Sequence, residues 1–174
     1  SIYINCANKI VGSLLFSIGL ISVIVLQTSL FTGKIGYVNS RKNFFDSLII
    51  LIVNVTVAFC CGLLLKIATQ ESAIMASRYD KKLLKVFLDG VGCGALIYLA
   101  CELYQRTSSL IPVILCVMGF ILAGFEHSVA DAFYLGVGEF RPEGLLIIFL
   151  VILGNAVGSL IIRILQVGYE HFKD

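Results

Sequence analysis

The chain has 174 residues, of which 59% are hydrophobic and only 14% charged; its net charge is +2 and its mean hydropathy +0.98. Soluble domains carry about 25% charged residues, so this composition excludes an ordinary cytosolic enzyme and a disordered tail. The small net charge, with no basic block among interleaved aromatics, excludes a nucleic-acid partner.

A helix needs about 20 apolar residues to cross about 30 Å of hydrocarbon, and five stretches reach that length. The first, 10–30, has no charge between Lys9 and Lys34. The second, 44–65, holds only Asp46 near its start, and the third, 86–104, holds Asp89 and Glu102 near its ends. The fourth, 110–135, contains Glu126, His127 and Asp131, and the fifth, 145–162, is closed by Arg163. The connections 33–43, 66–85, 105–109 and 136–144 are too short to fold as soluble domains. Only helices and closed barrels satisfy backbone groups in lipid, and the alternating pattern of barrel strands is absent. The expectation is an all-α, polytopic membrane helical bundle in a single domain, 1–174.

Seven basic residues (Lys9, Lys66, Arg78, Lys81, Lys82, Lys85, Arg141) fall on one side of such a bundle and six (Lys34, Arg41, Lys42, Arg106, Arg163, Lys173) on the other. That bias is too small to orient it. The six cysteines (Cys6, Cys60, Cys61, Cys93, Cys101, Cys116) have no CxxC spacing and read as packing residues. His127 and His171 are far apart, so neither a metal site nor a cofactor is expected. The chain opens Ser-Ile-Tyr-Ile almost directly in a span, without the n-region of a signal peptide, and so reads as processed or partial.

Two places interrupt the apolar pattern in related ways. Leu30-Phe31-Thr32-Gly33 is followed by a short amphipathic run, 34–39; Gly124-Phe125-Glu126-His127-Ser128-Val129-Ala130-Asp131 interrupts the fourth span. In each case the next span carries an asparagine, Asn54 or Asn155. This reads as two repeats of helix, broken helix and asparagine-bearing helix, a transporter design with inverted repeats. Residues 1–67 form a partial first repeat and 78–174 the second. The second has a leading helix and the first does not, so the repeat predicts a sixth helix before Ser1. Gly12 with Gly19, Gly90 with Gly94, and Gly154 with Gly158 read as sites of close helix approach. Ionisable groups inside a span cost about 2.5–3.5 kcal/mol each on insertion scales, so Glu126, His127 and Asp131 either form an intramembrane site or sit at the membrane–water interface, close to the end of the segment. A histidine there can donate hydrogen bonds or exchange a proton near neutral pH.

At these residues the sequence resembles the formate/nitrite transporter family. The resemblance rests on the Gly124–Ala130 motif, on Leu30-Phe31-Thr32-Gly33 and on Gly154-Asn155-Ala156-Val157-Gly158, in the family's order, and covers helices two to six. It implies an aquaporin-like bundle, five spans of six, assembled as a homopentamer in the plasma or inner cell membrane with both termini in the cytoplasm. It implies a channel or proton-coupled transporter for small monovalent anions such as formate, nitrite or hydrosulfide, and no enzyme. His127 would be the central pore histidine, Thr32 the hydroxyl facing it and Asn155 the asparagine of the sixth helix. Arg78 would be a vestibule cation, and Phe16, Leu20, Leu30, Phe31 and Phe120 would form two apolar constrictions. The chain departs from the family at four positions, where Asp131 stands for asparagine, Ser29 for an acidic residue, Arg78 for lysine and Gly94 for asparagine, and most seriously in the first helix, which this sequence lacks. A truncated, non-conducting subunit that acts only through helix packing is the competing reading.

Overall fold

The computed structural model describes residues 8–69 and 76–173; Cys6 lies outside them. Its helices run α1 Lys9–Val25, α2 Phe31–Lys34, a 3-10 turn at Ile35–Tyr37, α3 Arg41–Thr69, α4 Ala76–Tyr79, α5 Leu83–Thr107, α6 Ile111–Leu122, α7 Ser128–Val137 and α8 Pro142–Lys173. Three of them are long and apolar enough to span a bilayer unbroken: Arg41–Ile67, Leu83–Thr107 and Pro142–Phe172. The expected first and fourth spans are each divided. The stretch 10–30 stops being helical at Val25 and restarts at Phe31, and 110–135 splits into α6 and α7.

Local chemistry sets these boundaries. Asn8 caps α1 by accepting the N–H groups of Ile10 and Val11 at 2.9 and 3.3 Å. Ser13 and Ser17 are buried in α1, and their hydroxyls donate to the carbonyls of Ile10 and Ser13, which satisfies both groups in an apolar setting. A proline in its first turn starts α6.

The long helices dock through glycine. On α5 and α8, a Cβ at Gly94 would fall 2.0 Å from the carbonyl oxygen of Asn155, and one at Gly158 would fall 2.0 Å from that of Val91. Gly62 and Gly136 bring α3 and α7 equally close. Such contacts replace the hydrophobic drive that lipid cannot supply with backbone-to-backbone packing. Gly19 behaves otherwise than expected: nothing lies within 4 Å of where its Cβ would be, and it lines a cavity.

Two apolar clusters flank the α5–α8 seam. One joins α1, α5 and α6 through Leu20, Cys93, Ile97, Val113, Val117 and Phe120; the other joins α5, α7 and α8 through Val86, Leu135, Ile147 and Val151. The outer face of α3, with Phe45, Ile49, Ile52, Val57, Leu64 and Ile67, is left exposed. In a bilayer protein such a face meets lipid or another helix.

Candidate functional site

The two helix breaks are built alike, residue for residue. After α1, Gln27 N–H donates to Ile24 O and Thr28 N–H to Val23 O; after α6, Gly124 N–H donates to Ile121 O and Phe125 N–H to Phe120 O. Both are Schellman closures, with the left-handed position held by Gln27 (φ 53°) in one and by Gly124 (φ 73°) in the other. Each chain then runs extended through Leu30 or His127 before the next helix starts. Leu30 and His127 are therefore equivalent positions in the two repeats.

A break inside a membrane leaves a carbonyl and an N–H without helical partners, and in both repeats an asparagine takes them. Phe31 N–H donates to Asn54 Oδ1 at 3.0 Å, while Asn54 Nδ2 donates to Ser29 O at 3.3 Å. Ser128 N–H donates to Asn155 Oδ1 at 3.0 Å, while Asn155 Nδ2 donates to Glu126 O at 3.0 Å and to Gly90 O at 2.9 Å. Asn155 is wholly buried and lines none of the three cavities described below. Its amide ties the break between α6 and α7 to α5 and α8.

His127 is the residue where the repeats meet. Its Nδ1 accepts the N–H of Ala130 at 3.4 Å, capping α7, and its Nε2 lies 3.1 Å from Thr32 Oγ1. With Nδ1 an acceptor, the hydrogen is assigned to Nε2, which donates to the threonine. Thr32 is completely buried and lines none of the three cavities described below, so it meets the ring from behind. Replacing Thr32 with valine keeps the shape and removes the acceptor. The expected result is a properly folded protein, unchanged in its elution from a sizing column, whose His127 ring-nitrogen resonances shift with the lost Nε2 hydrogen bond; an unmoved resonance would overturn the positioning role.

Three cavities adjoin these residues. The first, about 160 Å³, is the most polar of the three and is lined by Arg78, Lys81, Glu126, His127, Asp131, Phe16 and Phe120 among others. The second, about 530 Å³, is largely apolar and shares Phe16, Phe120, His127 and Tyr134 with the first, adding Leu20, Val117 and Leu30. The third, about 370 Å³, shares Val23 and Leu30 with the second and contains Lys34, Tyr37, Tyr104 and Gln105. Phe16 and Phe120 meet edge to face at 6.2 Å, and Phe120 stacks on the His127 ring at 6.0 Å, where the polar and apolar cavities join. Leu20 and Leu30 line the apolar reach. Phe31 is buried but lines none of the three cavities.

The polar cavity is a charge network. Arg78 Nε donates to Glu126 Oε2 at 3.2 Å and to Asp131 Oδ1 at 3.0 Å, and its guanidinium sits 4.2 Å above the Tyr134 ring. Lys81 bonds Glu126 and, at 3.3 Å, Asp89; Lys85 bonds Asp89 at 2.8 Å. Burial opposes the charge on Arg78 and on Lys81, yet the surrounding carboxylates outweigh it and hold both above their ordinary values. Arg78 comes from outside the spans and reaches Asp131, so this buried carboxyl group has a cationic partner. A second network at the opposite end ties Tyr37 to Glu102 at 2.7 Å and Tyr98 to Gln166 at 2.8 Å.

Sequence reasoning did not single out Lys81, Asp89 or Ser159 as part of the site. Ser159 is wholly buried one turn beyond Asn155, its hydroxyl within reach of the carbonyls of Thr32, Gly94 and Asn155 at 3.2, 3.1 and 2.9 Å. Its signal was a second hydroxyl or amide group in an apolar helix at four-residue spacing. Among the described residues no His, Cys, Asp and Glu group could hold a metal ion.

A family model described as formate/nitrite transporter matches residues 3–169. A probable formate transporter from Methanothermobacter thermautotrophicus is 27% identical over 209 residues, covering 95% of this chain and 76% of that protein. Two solved structures share the fold. One, an FNT family ion channel, aligns with a TM-score of 0.75 at 23% identity, over 92% of this chain and 76% of its own. The other, a pentameric formate channel with formate bound, aligns with a TM-score of 0.77 at 21% identity, over 94% and 83%.

Proposed function

This chain belongs to the formate/nitrite transporter family, and from that membership we propose that it conducts small monovalent anions, formate foremost, across the cell membrane together with a proton. The observation that carries the reading is the succession of cavities. Adjacent ones share lining residues, from the Arg78 mouth past Phe16, Phe120 and His127 to Leu30 and the Lys34 mouth. Each broken pair, α1 with α2 and α6 with α7, counts as one crossing, which gives five. Residues 1–67 and 78–174 act as the two repeats of one channel domain. The C-terminal end, with Arg106 and Arg163, faces the cytoplasm as in the family topology, so after five crossings the Lys9 end and the Arg78 mouth face away from it.

An anion leaving water for an apolar reach loses its hydration, at an effective cost of several kcal/mol per ion. The aromatic pair and the two leucines offer nothing in return, which excludes hydrated cations and larger polar solutes alike. The His127 imidazole is the polar group at the waist, and Nε2–H, held by Thr32 when no anion is present, is the donor that a passing anion meets. Crossing the remaining reach as the neutral acid removes the charge altogether, so transport is anion with proton. The relative described as pentameric and the uncovered apolar face of α3 support assembly as a homopentamer.

The test is flux into proteoliposomes loaded with the purified chain, using formate, nitrite and hydrosulfide. Formate uptake is expected, with a His127→Phe variant slowed by about tenfold or more through the lost donor. Wild-type flux from that variant would overturn the assignment of the waist, and no flux from the wild type would leave a packing-only subunit.

A further inference from the structure

The proton that accompanies the anion needs a source, and the geometry speaks against His127. Both ring nitrogens are engaged, and a second hydrogen on Nδ1 would point at the Ala130 N–H that it now accepts. Protonating the ring would set two donors against each other and uncap α7 at the same stroke.

Asp131 lies one helical turn further on and lines the same polar cavity. It is wholly buried. One oxygen takes the Arg78 Nε, and the other, Oδ2, has no hydrogen-bond partner among the described residues. A bare carboxylate oxygen in such a place forfeits its desolvation energy, whereas a carboxylic acid uses that oxygen to carry a hydrogen. The groups facing it are Arg78 of α4, Lys81 ahead of α5, Cys93 of α5, Glu126 and His127 of the break, and Tyr134 on its own helix. The neighbouring helices α3 and α8 meet α7 through backbone and apolar atoms around Phe59, Gly62, Ile147 and Val151.

We propose that Asp131 is the residue that hands the proton to the anion at the Arg78 mouth. It rests on the anion-with-proton reading above. Among the described residues the network at the mouth joins three cations, Arg78, Lys81 and Lys85, to three carboxylates, Asp89, Glu126 and Asp131. A proton on Asp131 takes one negative charge out of that network, which favours entry of the anion. The acid O–H bond of Asp131 then breaks, its hydrogen bonds to a carboxylate oxygen of formate, and formic acid forms while Asp131 becomes a carboxylate facing Arg78. The neutral acid passes Phe16 and Phe120 and releases the proton to water at the Lys34 mouth. Asp131 takes a new proton from water on its own side, so one anion and one proton cross with no net charge. Arg78 makes the step reversible by stabilising the carboxylate left behind, and the shared Glu126 contact keeps that stabilisation partial.

The experiment compares wild type, Asp131→Asn and Asp131→Glu in proteoliposomes, measuring formate uptake across a range of pH and under an inward proton gradient. Infrared difference spectra of the same samples report the carboxylic-acid C=O stretch. The amide should keep the Arg78 contact and lose the proton. Uptake driven by the proton gradient is expected to fall by about tenfold or more, the residual flux to be flat with pH, and the acid band to lose the Asp131 component. The glutamate variant should restore coupling with a displaced pH midpoint. If Asp131→Asn does not fold, Asp131→Glu carries the test, and an unmoved midpoint overturns the proposal. Coupling that persists unchanged in Asp131→Asn overturns the proposal and spares the transport reading. A wild type that takes up no formate at any pH overturns both.

Discussion

Replacing Asn155 with leucine is expected to cost roughly 3 kcal/mol of stability or more, enough to lose most of the folded protein. Leucine is close in volume, so packing along α8 is nearly conserved and the effect is polar. The substitution reaches three buried groups at once: it strands the N–H that opens α7 and the carbonyl of Glu126, and it takes the second donor from the carbonyl of Gly90, which lies within helix α5. Each stranded group costs about 1–3 kcal/mol where water cannot reach. A single hydrogen bond in a membrane protein averages less, about 0.6 kcal/mol, because the unfolded chain finds other partners in its own helices. Here that escape is closed, since the break has already removed the helical partners of two of the three groups. Asn54→Leu is the internal comparison. It strands two groups, one of them bonded at 3.3 Å, and the residue is only half-buried, so its loss should be visibly smaller. Thermal unfolding in detergent, followed by the loss of a monodisperse peak, measures both. Equal stability of Asn155→Leu and the wild type would show that the amide is not what closes the break.

The pairing of these asparagines with the two interruptions was readable from the sequence, because a polar group in an apolar run and an interrupted helix are both local signals. The docking of α5 on α8 was readable too, since small residues four apart leave a visible stripe at 90 and 94 and at 154 and 158. Gly12 and Gly19 carried the same kind of spacing, and Gly19 serves a cavity instead; spacing marks where a helix is thin, not what lies opposite. The positions of the breaks were shifted by a few residues, because the Schellman closures depend on left-handed conformations at Gln27 and Gly124, and a glutamine gives no hint of one. Least readable was the charge network. Lys81 and Arg78 come from outside the spans, while Glu126 and Asp131 come from the break and α7. Such pairs exist only through the tertiary approach of separate segments. The sequence showed buried acids that needed an explanation, and the fold supplied cations from a connection that periodicity describes only as polar. Thr32 and Asn155 show the remaining gap. The motifs marked both positions, but only the structure separates a residue that lines a cavity from one buried behind its wall.

Gly94→Asn is expected to be the second most damaging substitution, and the reason is geometric. The family carries an asparagine at this position by resemblance, so the change restores a familiar residue, yet this chain has closed the space it needs. A Cβ at residue 94 would stand 2.0 Å from the carbonyl oxygen of Asn155 and 2.6 Å from its Cα, distances that rotamer changes cannot relieve because the opposing atoms are backbone. Helix α5 must move away from α8. Overpacking of that kind costs about 1–3 kcal/mol and more where backbone resists. The displacement also reaches the site, because Gly90 O, one turn earlier on α5, accepts from Asn155 Nδ2, and Gly94 O faces the Ser159 hydroxyl. Stability and anion flux should therefore fall together. Gly19→Ala makes the contrast: its added methyl meets nothing within 4 Å, so the fold should keep its melting temperature. A Gly94→Asn protein as stable as the wild type would mean that α5 and α8 can part without cost, and the tight seam would then lose its place as the frame on which the second break is built.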